Sequence, residues 1–316
     1  MDIILMGTPK SGKSSIKKVV FEKIFPHETT YIPPTLEIET LEVKSIEYCT
    51  LNIYEIPYTF KYTKKAPEEE KYFINCTMII YVLDCQKIDD KTAEFEYFEN
   101  EVVPILKDNN KISLTFFMHK IDNLNYYQNN KSKQKNEILT RFKNILEKNN
   151  LNFLFSHHIT SIYDYSLFEA FSKIFLKIMP QNSVISTLLD DLSNYCRLEK
   201  VYLFDVFNKI YLAVDSFPME TQTYEICSDM IDVILDTSGI YGDENDYDSY
   251  FDENSTCIIK INNIEKKNEN NILYLRFINN NLALICVIRE KNFEKTHLLD
   301  YNIKLFRNAV KNILNN

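Results

Sequence analysis

Glycine is nearly absent from these 316 residues: four occur, Gly7, Gly12, Gly239 and Gly242. In so glycine-poor a chain, each survivor is expected where a Cβ has no room, and two lie within the first twelve residues. A cationic surplus is missing as well. The net charge of -9 argues against nonspecific nucleic-acid binding, which needs a basic face. The acidity is uneven: up to residue 180 there are 23 Lys and Arg against 24 Asp and Glu, and beyond it 13 against 21. That change in character suggests a domain boundary. The seven scattered cysteines (Cys49, Cys76, Cys85, Cys196, Cys227, Cys257, Cys286) include no C-x-x-C spacing. Neither a disulfide framework nor a zinc knuckle is indicated, and buried thiols in a reducing compartment are expected. No apolar run approaches the ~20 residues of a membrane span. The chain opens on Ile3–Met6 without a signal-peptide pattern, Asp2 replaces a myristoylation glycine, and "NILNN" is no prenylation box. A cytoplasmic protein is expected, without direct membrane insertion; any membrane attachment must come from another component.

The length suffices for two domains. Up to residue 180, strands are expected at Ile3–Met6, Leu41–Tyr48, Leu51–Ile56, Met78–Leu83, Ser113–Met118 and Phe153–His158. Helices are expected at Ser14–Ile24, Glu68–Asn75, Ala93–Leu106, Lys133–Lys148 and Ser166–Ile178. This alternation predicts an α/β domain, 1–180, whose mostly parallel sheet carries helices on both faces and binds ligands at the carboxyl ends of its strands. After Met179-Pro180 the order changes to helix, hairpin (Val201–Val206, Ile210–Val214), helix (Tyr224–Leu235), three strands (Thr256–Ile261, Ile272–Phe277, Leu282–Arg289) and a last helix from Lys291 to about Leu314. That is an α+β layer, 181–316, with no phosphate loop of its own and suited to pairing with another protein.

"ILMGTPKSGKSS" contains Gly7-x-x-x-x-Gly12-Lys13-Ser14, a complete Walker A motif between an expected strand and helix. Backbone N–H groups from Thr8 through Pro9, Lys10, Ser11, Gly12, Lys13 and Ser14, with Ser15 behind them, are placed to wrap a β-phosphate at a helix N-terminus; proline adds none. Lys13 suits the β- and γ-phosphates, and the Ser14 hydroxyl suits Mg²⁺. A second motif, His119-Lys120-Ile121-Asp122, follows the fifth expected strand. There a lysine stem can lie along a base, and an aspartate can accept from guanine N1 and its amine, a donor pair adenine lacks. His119 stands where Asn is usual, and its ring N–H could tie this loop to the phosphate loop. "TSIYD" follows the sixth strand, where Ser161 and Ile162 would offer backbone N–H to the guanine oxygen. Bound GTP or GDP is therefore expected.

Weaker signals are set aside. His157 and His158, adjacent on a strand, face opposite ways. The acidic stretch from Asp243 to Glu253 lacks the glycine and the final glutamate of a calcium loop.

The segments "SGKSSIKKVVF", "HKID", "TSIYDYSLFEAFSKI", "LFDVFNKIYLAVDSFP", "YEICSDMIDVILD" and "IYG" resemble the Rag family of GTPases, in its C/D branch, nearly end to end. The resemblance implies a G domain and a roadblock domain that pairs with an A/B-branch Rag GTPase. It also implies signalling of amino-acid sufficiency to the TOR kinase complex at the lysosome or vacuole, and peripheral recruitment through a roadblock-containing membrane scaffold. Thr35 of "YIPPTLEI" then takes the switch position that ligates Mg²⁺ and senses the γ-phosphate.

The departure is in "LNIYEIPYTF", where the family's Asp-x-Pro-Gly-Gln falls on Glu55-Ile56-Pro57-Tyr58-Thr59. Glu55 reaches a methylene too far into an octahedral site. Tyr58 brings a ring where a glycine N–H approaches the γ-phosphate, and Thr59 is too short to orient water as glutamine does. The expectation is a slow GTPase with no assignable catalytic residue. A non-hydrolysing scaffold subunit and an Arf-like vesicle-traffic GTPase remain as alternatives.

Overall fold

A computed structural model describes the chain except for residues 44–50, 63–66, 87–91, 123–130, 153, 180, 218–220, 242–253, 262–269, 280 and 315–316. The acidic stretch 243–253 and the second half of the expected strand Leu41–Tyr48 lie outside the described residues. The chain divides into two compact units, one from Met1–Lys44 with Cys49–Ala170 and the other mainly from Phe171–Asn316.

The first unit is a six-stranded sheet of β1 (Asp2–Met6), β2 (Glu39–Val43), β3 (Leu51–Glu55), β4 (Cys76–Asp84), β5 (Ser113–His119) and β6 (Phe155–Thr160), in the order β2-β3-β1-β4-β5-β6. All pairings are parallel except β2 with β3, where Glu39 faces Glu55. Strands covered on both faces read as unbroken apolar runs; Ile3 to Met6 and Met78 to Leu83 are buried throughout. The unit's helices are α1 (Lys13–Phe21), α2 (Pro67–Ile74), α3 (Thr92–Tyr97), α4 (Val103–Asp108) and α5 (Lys131–Lys148); α6 (Ser166–Ile178) begins in this unit and runs into the second. A π-helical turn, Phe98–Val102, joins α3 to α4, so the single helix expected there carries an irregular turn. Tyr81 and Phe116 of the sheet meet Phe98 of that turn and Phe142 of α5, with ring centroids 4.7 to 5.9 Å apart. Such aromatic pairs add to area burial in holding helix to sheet.

The second unit is an antiparallel sheet in the order β8-β7-β11-β10-β9, from β7 (Lys200–Asp205), β8 (Ile210–Val214), β9 (Thr256–Ile261), β10 (Asn271–Phe277) and β11 (Leu282–Arg289). Its helices are α7 (Asn182–Cys196), α8 (Thr221–Tyr241) and α9 (Thr296–Leu314). Two helices differ most from expectation. The helix expected over Tyr224–Leu235 extends at both ends to become α8, and the final helix opens with a 3₁₀ segment, Glu290–Lys295. β9 lies at a sheet edge. Among the described residues, no helix is long and apolar enough to cross a membrane.

Candidate nucleotide site

The carboxyl ends of β1, β3, β4, β5 and β6 each deliver one chemical group to the same end of the sheet, as doubly wound sheets do. After β1 the phosphate loop turns through Gly7 (φ 149°), Lys10 (φ 63°) and Gly12 (φ 107°), and Ser11 N–H donates to Thr8 O at 3.3 Å. Gly7 and Gly12 are forced by neighbours as well as by conformation, whereas Gly239 departs from expectation, a Cβ there meeting nothing within 4 Å. A Cβ on Gly7 would lie 2.4 Å from the Val82 carbonyl oxygen of β4, and one on Gly12 would lie 2.6 Å from His119 Cδ2. Gly12 precedes α1, whose first residues are Lys13, Ser14 and Ser15; Pro9 and Lys10 stand exposed at the loop's outer curve. Lys13 folds back across the loop, donating to Gly7 O at 2.8 Å and Thr8 O at 3.3 Å. Burial pushes its ammonium down to about 8, with the Glu55 charge opposing.

Three oxygens converge beside α1. Ser14 Oγ and Thr35 Oγ1 lie 3.2 Å apart, and both hydroxyls reach Glu55 Oε1, Thr35 donating at 2.9 Å. Two neutral hydroxyls of this kind suit a hard cation completed by phosphate oxygens and water, so Ser14 and Thr35 fit a Mg²⁺ ion. Glu55 is held differently. It is 1% exposed, and its other oxygen lies 2.9 Å from Lys17 Nζ, which also pairs with Glu39. Burial works against the Glu55 charge, but hydrogen bonds from Ser14, Lys17 and Thr35 and the Lys17 charge hold its carboxyl below the usual range.

His119 is buried beneath Gly12, and its Nδ1 shares a hydrogen with Thr160 Oγ1 at 3.0 Å. The expected ring N–H tie to the phosphate loop is replaced by packing. Burial, helped by Lys120, pushes the imidazole down to about 4, so the ring is neutral at pH 7. Lys120 (φ 64°) crosses the site, its ammonium bridging Lys10 O and Asp84 Oδ2, the latter at 2.9 Å. Asp122 is exposed and accepts from Ser161 Oγ at 3.0 Å. β6 begins and ends two residues later than expected, which makes Thr160 its last residue. The Ser161 N–H, expected at the base, donates instead to Ser166 Oγ at 2.9 Å; Ile162 follows it, half-buried.

Beyond β3, Phe60 N–H donates to Pro57 O at 3.1 Å and closes a turn over Tyr58 and Thr59, both exposed. The Tyr58 ring lies 4.9 Å from that of Tyr97. Tyr58 is not among the positive-φ residues, so its Cβ brings no left-handed strain. Sequence reasoning missed Lys17, Asp84 and Glu94, the last buried and accepting from Thr8 Oγ1 at 3.3 Å. For Lys17 a signal existed: a lysine three residues after Ser14 lies on the same helical face.

The model of the Gtr1/RagA G protein conserved region matches residues 2–231 of this chain. The chain is 37% identical to Ras-related GTP-binding protein C of Homo sapiens over 313 residues, covering 98% of this chain and 76% of that one. It is 37% identical to GTP-binding protein gtr2 of Schizosaccharomyces pombe over 317 residues, covering 98% and 97%. The chain belongs to the Gtr/Rag family of G proteins. Against gtr1 of the same yeast the identity falls to 23% over 225 residues, covering 69% of each chain. The chain is thus a Gtr/Rag protein of the C, D and Gtr2 branch.

Proposed function

We propose that this Gtr/Rag chain is the C/D-branch subunit of a heterodimeric guanine-nucleotide switch, with 1–180 as its G domain and 181–316 as a roadblock-like dimerisation domain. The observation that carries the nucleotide reading is the clamp on the phosphate loop, with Gly7 wedged against β4 and Gly12 against His119. A loop fixed in this way keeps its N–H groups pre-aimed at phosphate. In this reading Lys13 holds the phosphates, Ser14 and Thr35 ligate Mg²⁺, Lys120 supports the base and Asp122 selects guanine. The Ile162 N–H takes the place at the base that Ser161 gives up. Bound Mg²⁺ would supply charge compensation to the phosphates.

Exposed Thr59 and Tyr58, whose ring packs on Tyr97, support slow hydrolysis, since neither offers the amide that orients an attacking water. An A/B-branch Rag GTPase is the proposed partner through 181–316. A roadblock-containing scaffold is the proposed anchor at the lysosomal or vacuolar membrane, and the TOR complex is the proposed listener for amino-acid sufficiency. Two measurements test this. The nucleotide co-purifying with the heterodimer should be guanine-based, and adenine nucleotide there sinks the assignment. GDP and a non-hydrolysable GTP analogue should bind within about tenfold of each other. A much larger gap would mean that the γ-phosphate is fully read.

A further inference from the structure

Lys17 is left unexplained by the nucleotide reading. It stands on α1 one turn past Ser14 with its side chain 3% exposed, held between Glu55 of β3 at 2.9 Å and Glu39 of β2. A buried ammonium is tolerated only when paired, and here both partners are carboxylates, one itself buried. Glu55 lies at the position where the resemblance places an aspartate that steadies a Mg²⁺-bound water. In this chain its Oε1 accepts from the Ser14 and Thr35 hydroxyls, while its Oε2 faces Lys17. The extra methylene lets the carboxylate touch both hydroxyls directly, and its charge is paired within the chain by an ammonium that it shares with Glu39.

We propose that Lys17 is the resident countercharge of Glu55, so that Glu55 positions Ser14 and Thr35 and guanine nucleotide is retained with little dependence on the Mg²⁺ that those hydroxyls can ligate. The proposal rests on the nucleotide reading above. A divalent ion beside Ser14 gains less from a carboxylate already compensated at 2.9 Å, and the same ammonium repels it. Retention then falls on the loop N–H groups, the N-terminus of α1 and Lys13, none of which a chelator removes.

The test is release of a fluorescent GDP analogue from the full chain, followed in millimolar Mg²⁺ and again after EDTA. Chelation should speed release less than about threefold in the wild type. In Lys17→Met the buried Glu55 loses its compensation, and the ratio of the two rates should grow at least about threefold over wild type. Lys17→Arg keeps the charge and should keep the low ratio. A wild-type or Lys17→Arg ratio above about threefold, or a Lys17→Met ratio equal to wild type, overturns the proposal. Should Lys17→Met fail to fold, the wild-type and Lys17→Arg ratios decide. If no analogue binds under either condition, the nucleotide reading fails and this proposal falls with it; fast release on chelation overturns this proposal alone.

Discussion

Single residues set the pH behaviour of the site. His119 is neutral when folded down to about pH 4, whereas in the unfolded chain it takes up a proton near 6.5. Between those values the unfolded state binds more protons. The stability His119 contributes is therefore present above pH 6.5 and drains away as pH falls toward 4, at up to ~1.4 kcal/mol per pH unit. His119→Asn removes this component, and thermal melts between pH 7 and 5 should show a smaller loss for the variant than for wild type. Lys13 works in the opposite range. Its free ammonium titrates at about 8, and a bound phosphate favours the charged form. Above pH 8, binding must therefore recruit a proton, so GDP affinity should fall by up to about tenfold per pH unit. Titrations at about pH 7.5, 8.5 and 9.5 check the slope, and a flat profile would show that Lys13 does not meet the phosphate.

Elements show how much was legible in the sequence. The Walker A loop, His119 to Asp122 and Ser161 could be read in order because each is a short local pattern following a buried strand. The three-way meeting of Lys17, Glu39 and Glu55 was not legible, because it depends on the antiparallel register that sets Glu39 opposite Glu55. Likewise α8 outruns its apolar core, since exposed Ile240 and neighbouring polar residues carry the helix past the point where periodicity stops. In the second unit, the buried pair Lys200 and Asp215 fastens the β7–β8 hairpin, with Val201 N–H donating to Asp215 Oδ2 at 2.9 Å. Burial pushes the Asp215 carboxyl up, with Lys200 opposing. Removing one partner strands the other, so Lys200→Met should cost ~3–5 kcal/mol, and Lys200→Met with Asp215→Asn, which drops the charge but keeps an acceptor for Val201 N–H, should recover much of it. Amide exchange in β7 and β8 reports both. Equal protection in Lys200→Met and wild type would mean the pair carries no stability.

At the scale of the whole molecule, the acidity lies on the half proposed for pairing, and the phosphate chemistry lies on the near-neutral half. Among the described residues β9 is a sheet edge whose side chains alternate between exposed and half-buried, with Ile258 53% exposed. An open edge is a template for another strand. The chain produced alone should therefore self-associate as its concentration rises, and Ile258→Lys should suppress this in sedimentation without changing nucleotide binding. Equal self-association by the variant would move the sticky surface elsewhere. Under the proposed pairing the same edge would act as a timer. A newly made subunit without its partner would keep that edge open to chaperones and proteases, so the chain expressed alone should turn over faster than the chain expressed with its partner.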